Sequence, residues 1–317
     1  MGYVLVSASS PNRTYRLNTV TNDFGTAVTG VALASRLAVD DGVYTYNRGT
    51  NTLTRTLLSD FVTTNSITVT GIGAALLIGD GDDLWVDQTA ANSIALIDRT
   101  AFTLNTSYSV PQIFYGMNQF SVDAGILYVP TLPAGVSPPT RAALSTFDVA
   151  SATVTNTYTL LTSSSLSRAA LHDNGFVYVA IDATPDRIQQ VNASTGAVVA
   201  TCNLTNTYAP DVLRIAGGYL FVNGLTTQDV YRIDTSTMSI VNTYTIGSSG
   251  QPVITSDGQS VWISNGTGST SIIKVDGATG TSTSLAVPLA TSGGATAQYV
   301  SAPIPTPGDW VVGSVGW

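Results

Sequence analysis

A hydrophobic residue followed by Asp or Asn recurs seven times along this chain, each time at what reads as the same turn. The pairs are Leu17-Asn18, Tyr46-Asn47, Ile97-Asp98, Phe147-Asp148, Val191-Asn192, Ile233-Asp234 and Val275-Asp276. Small or polar turn residues follow most of them, and then a Thr- or Val-rich run. One copy reads Ile233-Asp234-Thr235-Ser236-Thr237-Met238 and continues into Ser239-Ile240-Val241-Asn242-Thr243-Tyr244-Thr245. A repeat of this length constrains the architecture more than any local propensity. One unit cannot bury its apolar face alone and must stack on its neighbours.

A second element recurs upstream, a short run with an aromatic near its middle. It appears as Leu84-Trp85-Val86, Leu127-Tyr128-Val129, Val177-Tyr178-Val179, Leu220-Phe221-Val222 and Val261-Trp262-Ile263, and Tyr3-Val4-Leu5-Val6 fits the same slot. A Gly or Asp turn precedes it, and before that lies one more apolar run. One unit therefore reads strand A, turn, aromatic strand B, loop, strand C, Asp/Asn turn, strand D. Four short antiparallel strands every forty-odd residues predict a β-propeller blade. Asp and Asn suit the turn because their side chains bond a backbone N–H two residues on.

Successive pairs lie 29, 51, 50, 44, 42 and 42 residues apart. The second unit is expected to be compressed, with Asp40-Asp41-Gly42 as a tight B–C hairpin, and the fourth expanded by the proline-rich residues 130–139. The expectation is a single all-β domain over residues 1–317, a seven-bladed propeller of four-stranded antiparallel blades. The chain starts on strand B of its first unit, so a C-terminal strand should complete that blade and remove a free edge. Gln298-Tyr299-Val300 and Trp310-Val311-Val312 are the two candidates, and segment 289–317 closes the ring, docks on a partner, or both.

Composition supports this reading. The 20 acids are all Asp, and the 12 basic residues are 11 Arg and Lys274. The helix formers Glu and Lys are therefore absent or nearly so, while strand-forming Thr and Val abound. The net charge of −8 is scattered as single Asp residues, which argues against a nucleic-acid partner, since phosphate binding needs clustered Lys and Arg. One cysteine, Cys202, excludes an internal disulfide framework and a Cys-based zinc site. No stretch is long and apolar enough to span a bilayer, so no membrane insertion is expected. The N-terminus lacks the basic and apolar regions of a secretory signal.

Phrases such as Val191-Asn192-Ala193-Ser194-Thr195-Gly196-Ala197-Val198 and Ile233-Asp234-Thr235-Ser236-Thr237 resemble the YVTN/quinoprotein-like class of propeller repeats. In that class an apolar-Asp-x-x-Thr-Gly stretch marks the outer hairpin. The resemblance covers nearly the whole chain and implies fold far more than activity, because such propellers include surface proteins, lactonases and dehydrogenases.

Catalytic signals are sparse. Absence of Glu removes the commonest glycosidase pairs. His172, the only histidine, reads as an exposed turn residue in His172-Asp173-Asn174-Gly175, against a His/Ser/Asp relay without a supporting motif. Cys202 lies in an outer-strand pattern as a buried thiol rather than a nucleophile. The densest acidic cluster, Asp80, Asp82 and Asp83, is a calcium candidate or an ordinary solvated turn, and it lacks the EF-hand spacing. Neither a cofactor nor an enzymatic activity is expected.

In a propeller the B–C and D–A loops share one face, and the A–B and C–D turns share the other. The irregular material falls on the first face. It supplies the candidate binding residues Phe114, Tyr115, Met117, Pro133, Pro138, Pro139, Tyr208, Asp186 and Arg187. Exposed aromatics beside a rigid proline loop suit a protein or glycan patch, although Phe114 and Tyr115 also suit a gap between blades. The Lys- and Glu-poor, Thr/Ser/Asn-rich composition is similar to that of phage virion proteins. That resemblance implies a non-enzymatic structural or recognition propeller on a virion, as a tail or capsid appendage that contacts other virion proteins, a host receptor or a glycan. The alternatives are a cell-surface adhesion propeller and a lactonase-like or quinoprotein-like enzyme, for which Asp186, Arg187, Asp211 and Arg214 are the charged candidates.

Overall fold

The computed structural model describes residues 3–9, 12–18, 20–25, 28–29, 36–39, 42–47, 50–57, 64–70, 77–80, 83–88, 93–110, 119–131, 141–162, 165–204, 209–246, 252–265, 271–288 and 297–301. These residues form seven four-stranded antiparallel sheets. Blade 1 holds β1 (Tyr3–Ser9), β2 (Asn12–Asn18) and β3 (Val28–Thr29). Blade 2 follows with β4 (Arg36–Val39), β5 (Gly42–Asn47), β6 (Thr52–Leu57) and β7 (Thr64–Thr68). In blade 3 the strands are β8 (Leu77–Asp80), β9 (Asp83–Gln88), β10 (Ser93–Asp98) and β11 (Thr103–Ser109). Blade 4 comprises β12 (Ser121–Asp123), β13 (Ile126–Thr131), β14 (Ala142–Asp148) and β15 (Thr153–Leu161). Blade 5 comprises β16 (Leu166–Asp173), β17 (Phe176–Asp182), β18 (Arg187–Asn192) and β19 (Val198–Asn203). Blade 6 runs through β20 (Pro210–Ala216), β21 (Tyr219–Gly224), β22 (Asp229–Asp234) and β23 (Ser239–Thr245). Blade 7 is built from β24 (Pro252–Ser256), β25 (Ser260–Asn265), β26 (Ser271–Asp276) and β27 (Ser282–Ala286).

The last strand, β28 (Ala297–Ser301), pairs antiparallel with β1, Val300 opposite Val6. Of the two predicted closing segments, the one around Tyr299 therefore supplies strand A of blade 1. The other, Trp310-Val311-Val312, lies outside the described residues. Joining the chain ends in one sheet removes the free edge that an open ring would leave.

Six of the seven recurrent pairs end a C strand, and their side chains build one kind of turn. Asn18 Oδ1 accepts from the N–H groups of Val20 and Thr21, Asp148 Oδ1 from Ala150 and Ser151, and Asn192 Oδ1 from Ser194 and Thr195. Asp98, Asp234 and Asp276 do the same with Ala101, with Ser236 and Thr237, and with Thr279. Four residues after each of these Asn or Asp residues the backbone turns left-handed, at Asn22, Phe102, Ala152, Gly196, Met238 and Gly280. A β-bulge accompanies the turn in blades 3 to 6, a common companion of such hairpins.

The seventh pair departs from expectation. Tyr46-Asn47 ends strand B of blade 2, and Gly42, paired with Val39 of strand A, opens strand B and not a B–C hairpin; Asp40 and Asp41 lie outside the described residues. Strand C of that blade ends on Leu57. From Asn18 to Leu57 is 39 residues and from Leu57 to Asp98 is 41, so the second unit is of ordinary length. An apolar-Asn pair in a Thr-rich chain also marks a B–C hairpin, and this one stood where the repeat led one to look.

Strands B and C are buried along most of their length because blades cover them on both sides. The B-strand aromatics of blades 2 to 7 sit in the core: Tyr44, Trp85, Tyr128, Tyr178, Phe221 and Trp262. Opposite it on strand C stands the residue two before the turn Asx, namely Leu96, Thr146, Gln190, Arg232 and Lys274, with Arg55 in blade 2. Four of these six reach the C–D turn of the next blade. Arg55 Nη1 donates to the carbonyl of Arg99, Gln190 Nε2 to that of Thr235 at 3.2 Å, and Arg232 Nη2 to those of Gly277 and Ala278 at 3.0 and 2.7 Å. Lys274 Nζ donates to Asn22 Oδ1 in blade 1.

Blades also interlock through the ring of an outer-strand tyrosine. Tyr108 meets Phe147 edge-on, and Tyr244 Oη donates to the Gly280 carbonyl. At Gly196 an added Cβ would overlap the Tyr158 ring, so the close approach of turn and ring requires glycine there.

Candidate functional site on the B–C and D–A face

The B–C and D–A connections are stitched together on one face. Leu204 N–H donates to the Asp186 carbonyl, Leu225 N–H to that of Ala209, and Ile246 N–H to that of Gln228. Residues 111–118 and 205–208 join strands D and A, and residues 132–140 join β13 to β14, so their flanking strands end on this face. Phe114, Tyr115, Met117, Pro133, Pro138, Pro139 and Tyr208 lie outside the described residues. Asp186 and Arg187 are described.

Asp186 is buried, and its two carboxylate oxygens serve two chain segments. Oδ1 accepts from Ala183 N–H at 2.8 Å, within the B–C connection that holds the cis Thr184-Pro185 bond. Oδ2 accepts from Ala209 N–H at 2.8 Å, just before strand A of the next blade. A buried carboxylate needs such donors to offset its lost hydration. Arg187 is half-buried and turns back, with Nε and Nη2 both 3.2 Å from the Pro185 carbonyl. The two predicted neighbours in sequence thus fasten the same loop from opposite sides.

Further inward, the A strands of blades 5 and 6 each carry a bulge, with Arg168 and Asp211 as the extra residues. Arg168 pairs with Asp182 through Nε and Nη2 at 2.8 and 2.6 Å. At the other bulge Val212 N–H donates to Asn223 Oδ1 at 2.7 Å, and Asn223 Nδ2 donates to the Pro252 carbonyl of blade 7. Gln119, just before β12, lies against β16 through a parallel bridge to Ala169. Its carbonyl accepts from Ala170 N–H, and its Oε1 accepts from Leu213 N–H at 2.9 Å and from Arg214 Nη1 at 3.2 Å. One residue thereby joins blade 4 to the inner strands of blades 5 and 6, by its backbone to the former and its side chain to the latter. Burial pulls the Arg214 guanidinium down to about 9, the direction expected for a desolvated cation.

Gln119, Asn223 and the Arg168–Asp182 pair were not singled out in the sequence. Their only signal is a polar residue inside or beside an apolar run, as in Leu220-Phe221-Val222-Asn223.

The remaining candidates divide between the two faces, with His172 and the Asp80–Asp83 reversal on the A–B side and Cys202 near the D–A end of its strand. His172 is not an exposed turn residue. It lies within β16, one residue before its end, with its ring stacked on Tyr128 at 4.9 Å and 6° and its Nδ1 3.5 Å from Asp123 Oδ2. The sequence missed this because the turn proper starts two residues later, at Asn174-Gly175. The nearby Ser121 hydroxyl accepts from the His172 backbone N–H at 2.9 Å. Cys202 is buried on β19, and burial raises its thiol. Asp80 and Asp83 are backbone register partners at the β8–β9 reversal, while Asp82 lies outside the described residues. Among the described residues no group of three His, Cys or acidic side chains is placed to hold a metal ion.

No family model matches the chain, and no curated protein matches its sequence. Solved structures do resemble it. Apo AztD from Citrobacter koseri aligns over 100% of this chain and 99% of its own, at 9% identity and a TM-score of 0.64. The dihydro-heme d1 dehydrogenase NirN, in complex with DHE, aligns over 90% of this chain and 73% of its own, at 11% identity and 0.61. BamB from Moraxella catarrhalis aligns over 98% and 96%, at 11% identity and 0.57. None of these is a phage virion protein, and they overturn the expectation of a virion tail or capsid appendage. That expectation rested on Thr, Ser and Asn content, which the strands and turns of a propeller demand in any setting. Identities this low carry fold and nothing finer. By its four-stranded antiparallel sheets and by these likenesses alike, the chain is a β-propeller.

Proposed function

We propose that this propeller acts by binding and not by catalysis, and that it takes a protein partner on its B–C and D–A face over blades 3 to 6. The observation that carries the reading is the Asp186 carboxylate, held on both sides by backbone N–H groups of two loops. A general base or nucleophile needs a lone pair directed at substrate. Here the oxygens fix loop geometry instead. Gln119 and Asn223 act likewise on the inner strands. Together they supply a rigid platform, and rigidity lowers the ordering cost of association. The segments carried on it hold Phe114, Tyr115, Met117, Pro133, Pro138, Pro139 and Tyr208, residue types suited to anchoring an apolar polypeptide. We also assign the repeats to the YVTN/quinoprotein-like class, on the six shared Asx turns.

The test is selection of peptides from a display library on the purified chain. Binding should fall at least tenfold in Tyr115→Ala and Tyr208→Ala and hold in His172→Ala on the far face. Turnover of lactones or of quinone-linked alcohol substrates, abolished by Asp186→Asn, would reverse the reading.

A further inference from the structure

The outermost strand of every blade is an edge, with one row of backbone N–H and C=O groups unpaired within the sheet. Natural edges are usually guarded by charged side chains, above all Lys, by proline or by β-bulges. Here the described outer strands β3, β7, β11, β15, β19, β23 and β27 contain no Asp, Lys, Arg or Pro at all. The charged residues sit elsewhere, as with Arg168 on strand A, Asp182 on strand B, and Arg232 and Lys274 on strand C. The most solvent-facing strands are thus the least charged. They also expose apolar side chains, Leu104, Val198, Val199 and Val241 each being more than 40% exposed.

We propose that the rim is a self-association surface, with β15 pairing antiparallel to β15 of a second copy of this chain. This strand is the longest edge, at nine residues; bulges set off Thr155 and Leu160, and the regular stretch between them exposes Asn156, Thr157 and Thr159. Charge selects the occupant. The chain carries −8, and acids lie on both faces: Asp98, Asp148, Asp234 and Asp276 at the C–D turns, Asp182 and Asp229 on the other side. Two copies meeting face to face bring like charges together, whereas rim to rim they meet none.

The side chains fit as well. Thr, Ser and Asn both donate and accept, so such a strand complements its own copy. The pairing already operates inside blades: Thr146 Oγ1 lies 2.8 Å from Thr155 Oγ1, Ser145 Oγ 3.0 Å from Thr157 Oγ1, and Thr54 Oγ1 2.9 Å from Ser66 Oγ. The uninterrupted part of this edge, residues 156–159, spans about 13 Å. One such contact falls short of the roughly 1,600 Å² of a stable interface, so the association is weak and concentration-dependent.

Sedimentation velocity of the full chain, from about 1 μM to 1 mM, tests the proposal. A reversible dimer should appear at the upper end and strengthen with added salt, as repulsion between the acidic copies is screened. The double variant Asn156→Lys/Thr159→Lys, at exposed positions of β15, should weaken it at least tenfold with unchanged melting temperature. That variant carries −6, which alone would ease association, so its effect must come from the edge. Thr100→Lys/Thr237→Lys makes the same charge change on the C–D face and should leave the dimer intact. A chain monomeric to 1 mM, a dimer dissolved by salt, or equal loss in both double variants would each overturn the proposal.

Discussion

Lys274 Nζ donates to Asn22 Oδ1 at 3.1 Å, joining blade 7 to blade 1 across 252 residues of sequence. The ring is therefore closed twice, once by this contact and once by the β28–β1 pairing. The same Lys274 ammonium lies 5.5 Å from the Trp262 ring centroid.

Removing a blade-to-blade tether should cost more than removing a surface charge. Arg232 is buried, with its guanidinium donating to two backbone carbonyls of blade 7 and lying 3.4 Å from the Tyr219 ring centroid. Arg232→Ala is expected to destabilise by about 2–4 kcal/mol, since hydrogen bonds to charged groups contribute about 1.5–3 kcal/mol and the two carbonyls lose a partner. Arg232→Lys should recover part of the loss, because an ammonium lacks the planar fork. Urea midpoints of the three proteins provide the check.

Gly196 tests the fit of turn against ring. Gly196→Ala puts a methyl group into the Tyr158 ring at a left-handed φ of +70°. Overpacking and backbone strain together predict a loss of about 2–4 kcal/mol. Combining it with Tyr158→Ser should cost less than the two single changes added, the coupling expected of residues in contact. Calorimetric melting of all four proteins measures it.

The turn carboxylates give acid sensitivity with a definite sign. Hydrogen bonds from the Ser236 hydroxyl and backbone hold the Asp234 carboxyl below its ordinary range, and those from the Thr279 backbone and hydroxyl do so for Asp276. A folded value below the unfolded one contributes stability above the unfolded value of about 3.9, lost as pH falls through the folded value. Asp257 runs the other way. Burial raises its carboxyl, so its protonation between the raised folded value and the unfolded one favours the folded state as pH falls. Asp234→Asn/Asp276→Asn should flatten the acid limb of stability below about pH 4 and leave neutral stability nearly unchanged, since Asn18 and Asn192 already serve that turn. Denaturant midpoints from pH 2 to 7 show either outcome.

Asp186 is expected to matter to the fold before it matters to any partner. Asp186→Ala strands the N–H groups of Ala183 and Ala209, and a buried unpaired donor costs about 1–3 kcal/mol. A loss of about 2–5 kcal/mol is expected, with faster hydrogen exchange at Ala183 and Ala209. Asp186→Asn, which keeps one acceptor, should fall between.

Much of this architecture was legible because propeller turns are written in side-chain chemistry. An Asx that must accept N–H groups two and three residues on can be found by eye at Asp148, Asn192 and Asp234. Blade 2 was misread because its C strand ends on Leu57, without an Asx, while Asn47 imitates the signal at the opposite end of the blade. The tethers were equally present as letters, Arg55, Gln190, Arg232 and Lys274 each opposite a B-strand aromatic. Their meaning was not legible, since the acceptor of Arg232 lies 45 residues away on a neighbouring blade.

By itself the sequence determined the class of fold, the repeat length and the chemistry of six hairpins, because these follow from spacing and from bonds within a few residues. Tertiary structure alone decided which segment closes the ring, that Asp186 is spent on two loops, and that Gln119 joins three inner strands. It also placed an uncharged strand at one edge of every sheet. Those outcomes depend on which blades lie side by side, and side-by-side packing of units forty residues apart leaves no mark within any single unit.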